Sequence, residues 1–193
     1  KELMSSKISF NFHPSWHPFV EPIFNSDIIK NIKSTLAKDK FTPEQINIFR
    51  AFNLPLSDVR VVIIGQDPYP RGEANGIAFS INEGVRMTPS LRVLQTTIQT
   101  YLNNPTYQID TSLKRWSDQG FLLLNTALTM KVGEKKSHVK MWQPFMIEIL
   151  RIIAEHNGAV IIVSLGNTAK ELVQKAVKVY PQIKNTTRYL HHA

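Results

Sequence analysis

Three short runs of apolar residues, separated by longer mixed stretches, form the strongest pattern in the chain. They lie at 59–64, 120–124 and 159–163 and are rich in valine, isoleucine and leucine. Apolar runs of this length without polar alternation are typical of strands buried on both faces, as in a parallel sheet. A weaker run over 187–190 predicts a fourth strand.

Segments with apolar residues at helical spacing lie between these runs. We predict helices from Asn25 or Ser26 to Leu36, Thr42 to Phe52, Thr88 to Leu102, around Leu113 to Trp116, Gln143 to His156 and Gly166 to Val179. The stretch 76–81 predicts a short strand or extended segment. Strands alternating with helices indicate an α/β fold. We therefore expect one domain over 1–193, a three-layer α/β/α arrangement around a four-stranded parallel sheet.

Composition adds a constraint on partners and location. The 193 residues carry 23 Lys+Arg against 15 Asp+Glu, a formal charge of +8, which favours a polyanionic partner and nucleic acid first. No cysteine is present, which excludes disulfides and thiolate metal sites and suits a reducing compartment. No apolar run approaches the length of a membrane span. We expect a cytoplasmic protein, or a nuclear one if the source is eukaryotic, without membrane association.

Polar residues follow the predicted strands at the point where each strand ends. Asp67 follows the first, Asn125 the second, and the pair His191-His192 the last. The carboxyl ends of parallel strands meet at one edge of the sheet, where open α/β sheets bind ligands. Each residue alone could equally be a turn or surface residue. Together they predict a polar site with a carboxylate, a carboxamide and an imidazole.

The amino-terminal 21 residues contain several aromatic residues among prolines and predict an arm packed over the domain. His13 and His17 have the spacing of paired metal ligands on a helix. Pro14 and Pro18 disfavour a regular helix there. We therefore assign no metal ligands.

Several short segments identify a resemblance. Gly65-Gln66-Asp67-Pro68-Tyr69, Asn75-Gly76-Ile77-Ala78-Phe79-Ser80 and Leu122-Leu123-Leu124-Asn125 closely resemble signature segments of the family 1 uracil-DNA glycosylases. Further matches are Pro89-Ser90-Leu91, Ser137-His138, Gly166-Asn167 and the final histidine, His192. The segments occur in the family's order and spacing over nearly the whole chain. The resemblance implies the glycosylase fold and an enzyme that removes uracil from DNA with neither metal nor organic cofactor.

The resemblance also implies a role for each matched residue. Asp67 would hold the attacking water and place negative charge near a cationic sugar. His192 would donate a hydrogen bond to O2 of the departing uracil anion. The resemblance makes Gln66, Tyr69, Phe79 and Asn125 substrate-binding residues.

Each substrate-binding residue is expected to meet a different part of the flipped base. Asn125 would accept from N3–H and donate to O4, which discriminates against cytosine. Phe79 would stack on the base, and Tyr69 would exclude the 5-methyl group of thymine. Gln66 would contribute backbone contacts to the pyrimidine.

The same resemblance implies contacts with DNA. Pro89, Ser90, Gly166 and Asn167 match loops that press on phosphates around the flipped nucleotide. His138 would either touch DNA or only shape its loop. The implied partners are single- or double-stranded DNA containing uracil and a DNA-mimicking inhibitor protein, and we expect a monomer.

The chain departs from the family's pattern in three places. Pro70 stands where most members have histidine, so we expect reduced or differently tuned activity. Asn167 replaces the usual serine. Ala193 stands where the family has proline, and the family's next segment, whose leucine inserts into the duplex, does not follow. We expect that the natural protein is longer. The alternative is a protein that has lost this leucine and prefers single-stranded DNA. These departures leave a second hypothesis open, a non-catalytic DNA-binding or processivity module on the same fold.

Overall fold

A four-stranded parallel sheet forms the centre of the molecule in the computed structural model, which describes residues 11–192. Its strands are β2 (Val61–Gly65), β3 (Phe121–Asn125), β5 (Ile161–Leu165) and β6 (Arg188–His192), in the order β3-β2-β5-β6. All three strand pairs are parallel. The predicted sheet and its four strands are confirmed.

Seven helices and a small second ladder complete the described fold. The helices are α1 (His17–Phe24), α2 (Asp27–Leu36), α3 (Pro89–Tyr101), α4 (Lys114–Asp118), α5 (Val139–His156), α6 (Asn167–Val179) and α7 (Ile183–Thr186). The ladder pairs β1 (Phe41–Thr42) antiparallel with β4 (Met130–Lys131). Short 3-10 turns lie at Pro14–Trp16, Gln45–Asn47, Arg50–Asn53 and Leu56–Asp58.

Alternation along the strands divides the core between two faces of the sheet. Val62, Ile64 and Leu122 pack with the helices α1, α2, α5 and α6 in one apolar cluster. Ile63 and Leu123 point the other way and join the cluster formed with α3 and the segment around α4. Successive strand side chains point to opposite faces, so the sheet lies between two helical layers. The predicted α/β/α architecture is confirmed.

Two predictions about local structure are wrong. The segment 42–52 is not one helix: Thr42 is taken into β1, and the backbone at Phe49 (φ −107°, ψ 18°) separates two 3-10 turns. The tighter turns bury Ile48 and Phe52 in the same short segment. The segment 76–81 contains no strand, because Phe79 has a left-handed backbone with φ +67°.

The prolines near the amino terminus do not prevent a helix. A 3-10 turn over Pro14–Trp16 separates His13 from α1, which begins at His17, so the two histidines do not share one regular helix, as predicted; Pro18 occupies the first turn of α1, where a missing N–H costs no hydrogen bond. His13 Nδ1 lies 2.9 Å from Ser15 Oγ, within its own turn. Our expectations for residues 1–10 and for the chain at Ala193 lie outside the described residues.

Residues 11–192 offer neither a metal cluster nor a membrane-spanning helix. They contain no group of three or more His, Asp or Glu side chains arranged to hold a metal ion. None of their helices combines the length and apolar character needed to cross a membrane.

Candidate active site

A cavity of about 380 Å³ opens at the carboxyl ends of β2 and β3. Gln66, Asp67, Tyr69, Phe79 and Asn125 all line it. These five residues come from three separate segments of the sequence. The parallel register sets Gly65 opposite Asn125, and the N–H of Ala78 donates to the carbonyl of Leu123, which brings Phe79 to the same place. The cavity therefore unites every residue for which the sequence predicted contact with a base or with water, except His192.

Gly65 allows two of these side chains to meet at the floor of the cavity. A Cβ atom on Gly65 would lie 2.7 Å from Phe79 Cζ and 2.8 Å from Asn125 Oδ1, both far inside van der Waals contact. The absence of a side chain here lets the aromatic ring and the carboxamide approach the end of β2. The sequence identified this glycine only as part of a signature segment and gave no sign of its packing role.

The two oxygens of Asp67 have different environments. Oδ2 accepts hydrogen bonds from Gln66 Nε2 at 2.9 Å and from the backbone N–H of Lys136 at 2.8 Å. Oδ1 is buried and has no hydrogen-bond partner among the described residues. A buried acceptor without a partner carries a desolvation cost of about 1–3 kcal/mol. One oxygen thus fixes the carboxylate, and the other has no hydrogen-bond partner among the described residues.

Gln66 connects the Asp67 loop to α6 and to the end of β3. Its Oε1 accepts from Thr168 Oγ1 at 3.2 Å, while its Nε2 donates to Asp67. Its backbone carbonyl accepts from Thr126 Oγ1 at 2.6 Å. The carboxamide is therefore a bridge that orients Asp67. The sequence implies only backbone contacts for Gln66 and gives no sign of the roles of Thr126 and Thr168.

The Tyr69 hydroxyl is held between two hydrogen-bond partners. Its hydroxyl donates to the carbonyl of Phe79 at 3.0 Å, so the contact of 2.8 Å with Thr88 Oγ1 has the threonine as donor. Thr88 Oγ1 in turn accepts the N–H of Leu91 and caps α3. Desolvation by burial raises the pKa of Tyr69 above its ordinary value of 10.0, against the opposing effect of the Thr88 and Ser90 hydroxyls. The phenol is therefore held as a neutral donor.

Phe79 and Asn125 present their side chains to the cavity in different ways. The turn that carries Phe79 is held by Asn75, whose Nδ2 donates to Ser80 Oγ at 2.7 Å and whose Oδ1 accepts from Ile77 N–H at 3.1 Å. The Asn125 carboxamide, at the end of β3, has no hydrogen bond to another described side chain or backbone group. It keeps its donor and its acceptor for whatever occupies the cavity.

His138 lies inside the protein, below the loop that reaches Asp67. It is 2% exposed, with Nε2 at 2.8 Å from Asp39 Oδ2 and Nδ1 at 2.9 Å from Thr129 Oγ1. Thr129 also accepts from Trp142 Nε1 at 2.7 Å. Both ring nitrogens are occupied and shielded, so the predicted contact of this side chain with DNA is corrected. The structure agrees with the alternative that His138 shapes the loop.

The remaining predicted residues surround the cavity without all lining it. Ser90 lines it at the start of α3, next to the exposed Pro89. Gly166 precedes α6 with φ +85°, and its N–H donates to the carbonyl of His192 at 2.8 Å. His192 is exposed and pairs in register with Leu165, which lines the cavity. The imidazole of His192 is not part of the cavity wall, and its role stays a prediction, as does that of Asn167.

Comparison with known proteins places this site in a family. Residues 52–191 match the model of the uracil DNA glycosylase superfamily. The chain is 36% identical over 169 residues to the uracil-DNA glycosylase of Alkaliphilus oremlandii, covering 82% of this chain and 73% of that protein. It is 38% identical over 166 residues to that of Fusobacterium nucleatum, covering 80% and 71%.

Solved structures show the same fold. The uracil-DNA glycosylase of mimivirus superposes with a TM-score of 0.82 at 24% identity, covering 94% of this chain and 68% of that one. A variant of the mimivirus enzyme, in complex with UGI, superposes with a TM-score of 0.83 at 22% identity, covering 97% and 72%. The protein of Nitratifractor salsuginis gives 0.65 at 21% identity, covering 94% and 83%.

Proposed function

Because the chain belongs to the uracil DNA glycosylase superfamily, we propose that it removes uracil from DNA by hydrolysing the bond between base and sugar. The observation that carries this proposal is the buried, unpartnered Oδ1 of Asp67 in a cavity shared with Phe79 and Asn125. A carboxylate with one oxygen fixed and the other free suits a group that must bind water beside a cationic sugar.

Asp67 acts on the water and on the charge of the transition state. Gln66 and the Lys136 N–H fix Oδ2, so Oδ1 can accept a hydrogen bond from the attacking water. As the glycosidic bond breaks, the electron pair leaves with uracil and the sugar becomes cationic; the carboxylate stabilises that cation. The water oxygen then bonds to the sugar carbon and its proton is released. Protein groups that are already oriented do not reorganise during the step.

The base occupies the cavity between Phe79 and Asn125. Entry of a flipped nucleotide costs unpairing and unstacking energy, which stacking on Phe79 offsets. Asn125 accepts from N3–H and donates to O4 of uracil, and both groups are otherwise unoccupied. Cytosine presents the opposite pattern and leaves them unpaired, a discrimination of about 10⁴-fold or more. Tyr69, rigidly bonded to Phe79 and Thr88, closes the space that a 5-methyl group needs.

Family 1 is the finer assignment that we propose. The loop Gly65-Gln66-Asp67-Pro68-Tyr69 and the Asn125 strand end support it, since they supply a carboxylate for water and a carboxamide for the base. Pro70 also lines the cavity, where most family members are expected to have histidine. It offers no side-chain donor, so the water depends on Asp67 and the backbone, and we expect a lower or differently tuned rate.

The proposed partners follow from the same site. Uracil-containing DNA is the substrate, and an inhibitor protein that mimics DNA would compete for the cavity; the mimivirus variants crystallised with UGI support this partner class. We propose that the chain acts as a monomer in the cytoplasm, or in the nucleus if the source is eukaryotic. The superfamily membership disfavours the alternative of a non-catalytic module.

Uracil release from a labelled oligonucleotide tests the proposal. Replacing Asp67 by asparagine removes the charge and should lower kcat by about 10²- to 10⁴-fold with little change in KM. Asn125→Asp should move preference from uracil towards cytosine, because a carboxylate accepts from the cytosine amino group. The matched control is Asp58→Asn, which removes an exposed carboxylate before β2, at the opposite edge of the sheet.

Two outcomes would count against the assignment. Wild-type protein that binds DNA but releases no uracil would establish the non-catalytic alternative. An Asp67→Asn protein as active as Asp58→Asn would show that the free oxygen is not used.

A further inference from the structure

A second groove lies beside the candidate active site, on the far side of the first turn of α3. It encloses about 700 Å³ and is lined by residues of the loop 71–73, the segment 86–89 and the exposed side of α3. Three of its lining residues are arginines: Arg71, Arg86 and Arg92. Its only acidic lining residue in the described part of the chain is Glu73.

The three guanidinium groups have no acidic partners within the described part of the protein. None lies within 4.0 Å of a carboxylate. All three residues are exposed, and the first turn of α3 contains no acidic residue near Arg92. Glu73 is engaged by the backbone N–H of Arg71 at 2.8 Å. The groove therefore has an excess of positive charge that no ion pair among residues 11–192 neutralises.

The groove and the active-site cavity share one wall. Thr88 lines the groove, and its hydroxyl contacts the Tyr69 hydroxyl, in the cavity, at 2.8 Å. Pro89 lines the groove, whereas the next residue, Ser90, lines the cavity. A strand with one nucleotide in the cavity would thus pass over this turn and enter the groove.

We propose that Arg71, Arg86 and Arg92 bind consecutive phosphates of the DNA strand on one side of the target nucleotide. Guanidinium groups recognise phosphate oxygens through paired N–H donors and remain charged at every physiological pH. Exposed arginines without ion pairs bind a polyanion without first breaking a protein contact. The groove supplies affinity and register, while base reading stays in the cavity.

This inference rests on the proposed function, so its test separates binding from cleavage. Anisotropy of a labelled single-stranded oligonucleotide with a central uracil is followed over a range of salt concentrations, in an Asp67→Asn background that prevents turnover. Replacing Arg86 and Arg92 together by glutamine should lower the slope of log affinity against log salt by about 1.4, or about 25-fold in affinity at 0.1 M salt.

The matched control is Arg60→Gln, which removes an exposed charge beside the amino-terminal end of β2. It should leave the slope within about 0.2 of the parent value. Thermal unfolding should be unchanged in both proteins, because all three arginines are on the surface. Removing nucleotides from one side of the uracil should abolish the difference between the double variant and its parent; removing them from the other side should not.

The outcomes are distinct for the two proposals. Equal salt slopes in the groove variant and the Arg60→Gln control overturn the phosphate assignment, even if wild-type protein releases uracil. A difference that persists after truncation on either side also overturns it, since the groove would then bind no flanking strand. A groove-dependent slope in a protein whose wild type releases no uracil supports the groove and refutes the glycosylase activity.

Discussion

Replacing Gly65 by alanine tests the packing at the floor of the cavity. The backbone of Gly65 is outside the left-handed region, so alanine can adopt its conformation. The new methyl group, however, would lie 2.7 Å from Phe79 Cζ and 2.8 Å from Asn125 Oδ1. Ordinary contacts begin at 3.4 Å, so the ring must retreat by at least 0.7 Å to move from 2.7 to 3.4 Å. Both groups that are proposed to hold the base are displaced at once.

The magnitude follows from the size of this displacement. A misplacement of about 1 Å in a catalytic site costs about 10²-fold in rate, so kcat/KM for uracil release should fall by about that factor. Overpacking costs about 1–3 kcal/mol, and the lower entropy of the unfolded alanine chain returns about 0.4–1 kcal/mol. The net loss of about 1 kcal/mol should lower Tm by about 2–4 °C in a domain of this size.

Uracil release and thermal unfolding are measured on the same preparation. Gly84→Ala is the control: Gly84 has φ +80°, and a Cβ added there would have no other heavy atom within 4 Å, so alanine strains the loop without displacing a cavity residue. It should lose stability and keep its activity. If Gly65→Ala retains activity within about threefold of wild type, the closeness of Phe79 and Asn125 to β2 has no part in base binding.

Two further substitutions test the hydrogen bonds behind the site. Thr129→Val leaves Trp142 Nε1 and His138 Nδ1 buried without their shared partner, so the free energy of unfolding measured in urea should fall by about 2–4 kcal/mol. Thr129→Ser keeps the hydroxyl and should lose much less. Equal losses in the two variants would show that the shared hydroxyl does not stabilise the protein. Tyr69→Phe should cost about 0.5–1.5 kcal/mol of stability at neutral pH, because the bond to Phe79 needs the phenol proton. The folded protein holds that proton more tightly than the unfolded chain, so this contribution is complete below pH 10 and declines as the pH rises through the raised pKa of Tyr69. A Tyr69→Phe difference that already vanishes near pH 8 would contradict the pKa shift.

Apolar runs and caps predicted most of the fold because they report burial directly. The strands after Arg60 and Gln119 and the helix capped by Thr88 all formed near their predicted bounds. The failures share a cause. Both 42–52 and 76–81 make long-range backbone contacts that the local pattern does not contain. Thr42 pairs with Met130 in the β1–β4 ladder, and the N–H groups of Ala78 and Ile81 donate to the carbonyls of Leu123 and Thr111.

The candidate site was predictable to a similar degree. Asp67 and Asn125 were found because polar residues at the ends of buried strands are informative in a parallel sheet. The partners that orient them were not, since Lys136 acts through its backbone and Thr168 lies 102 positions from Gln66. The burial of His138 was equally hidden, because Asp39 is 99 positions away. Long-range pairing of single polar atoms leaves no periodic trace in a sequence.

The register of the central strand has a consequence for how the protein is made. Val61 pairs with Phe121 on one side and with Ile161 on the other, so β2 cannot complete its strand pairing until two later parts of the chain have been synthesised. Ribosomes add about 5–20 residues each second, which puts about 5–20 s between the synthesis of β2 and that of β5. Throughout that interval the edge of an apolar strand is unpaired and exposed to other chains. The unpaired strand edge is therefore most open to wrong pairing at a time when the Asp67 loop has been synthesised but the cavity cannot yet be assembled.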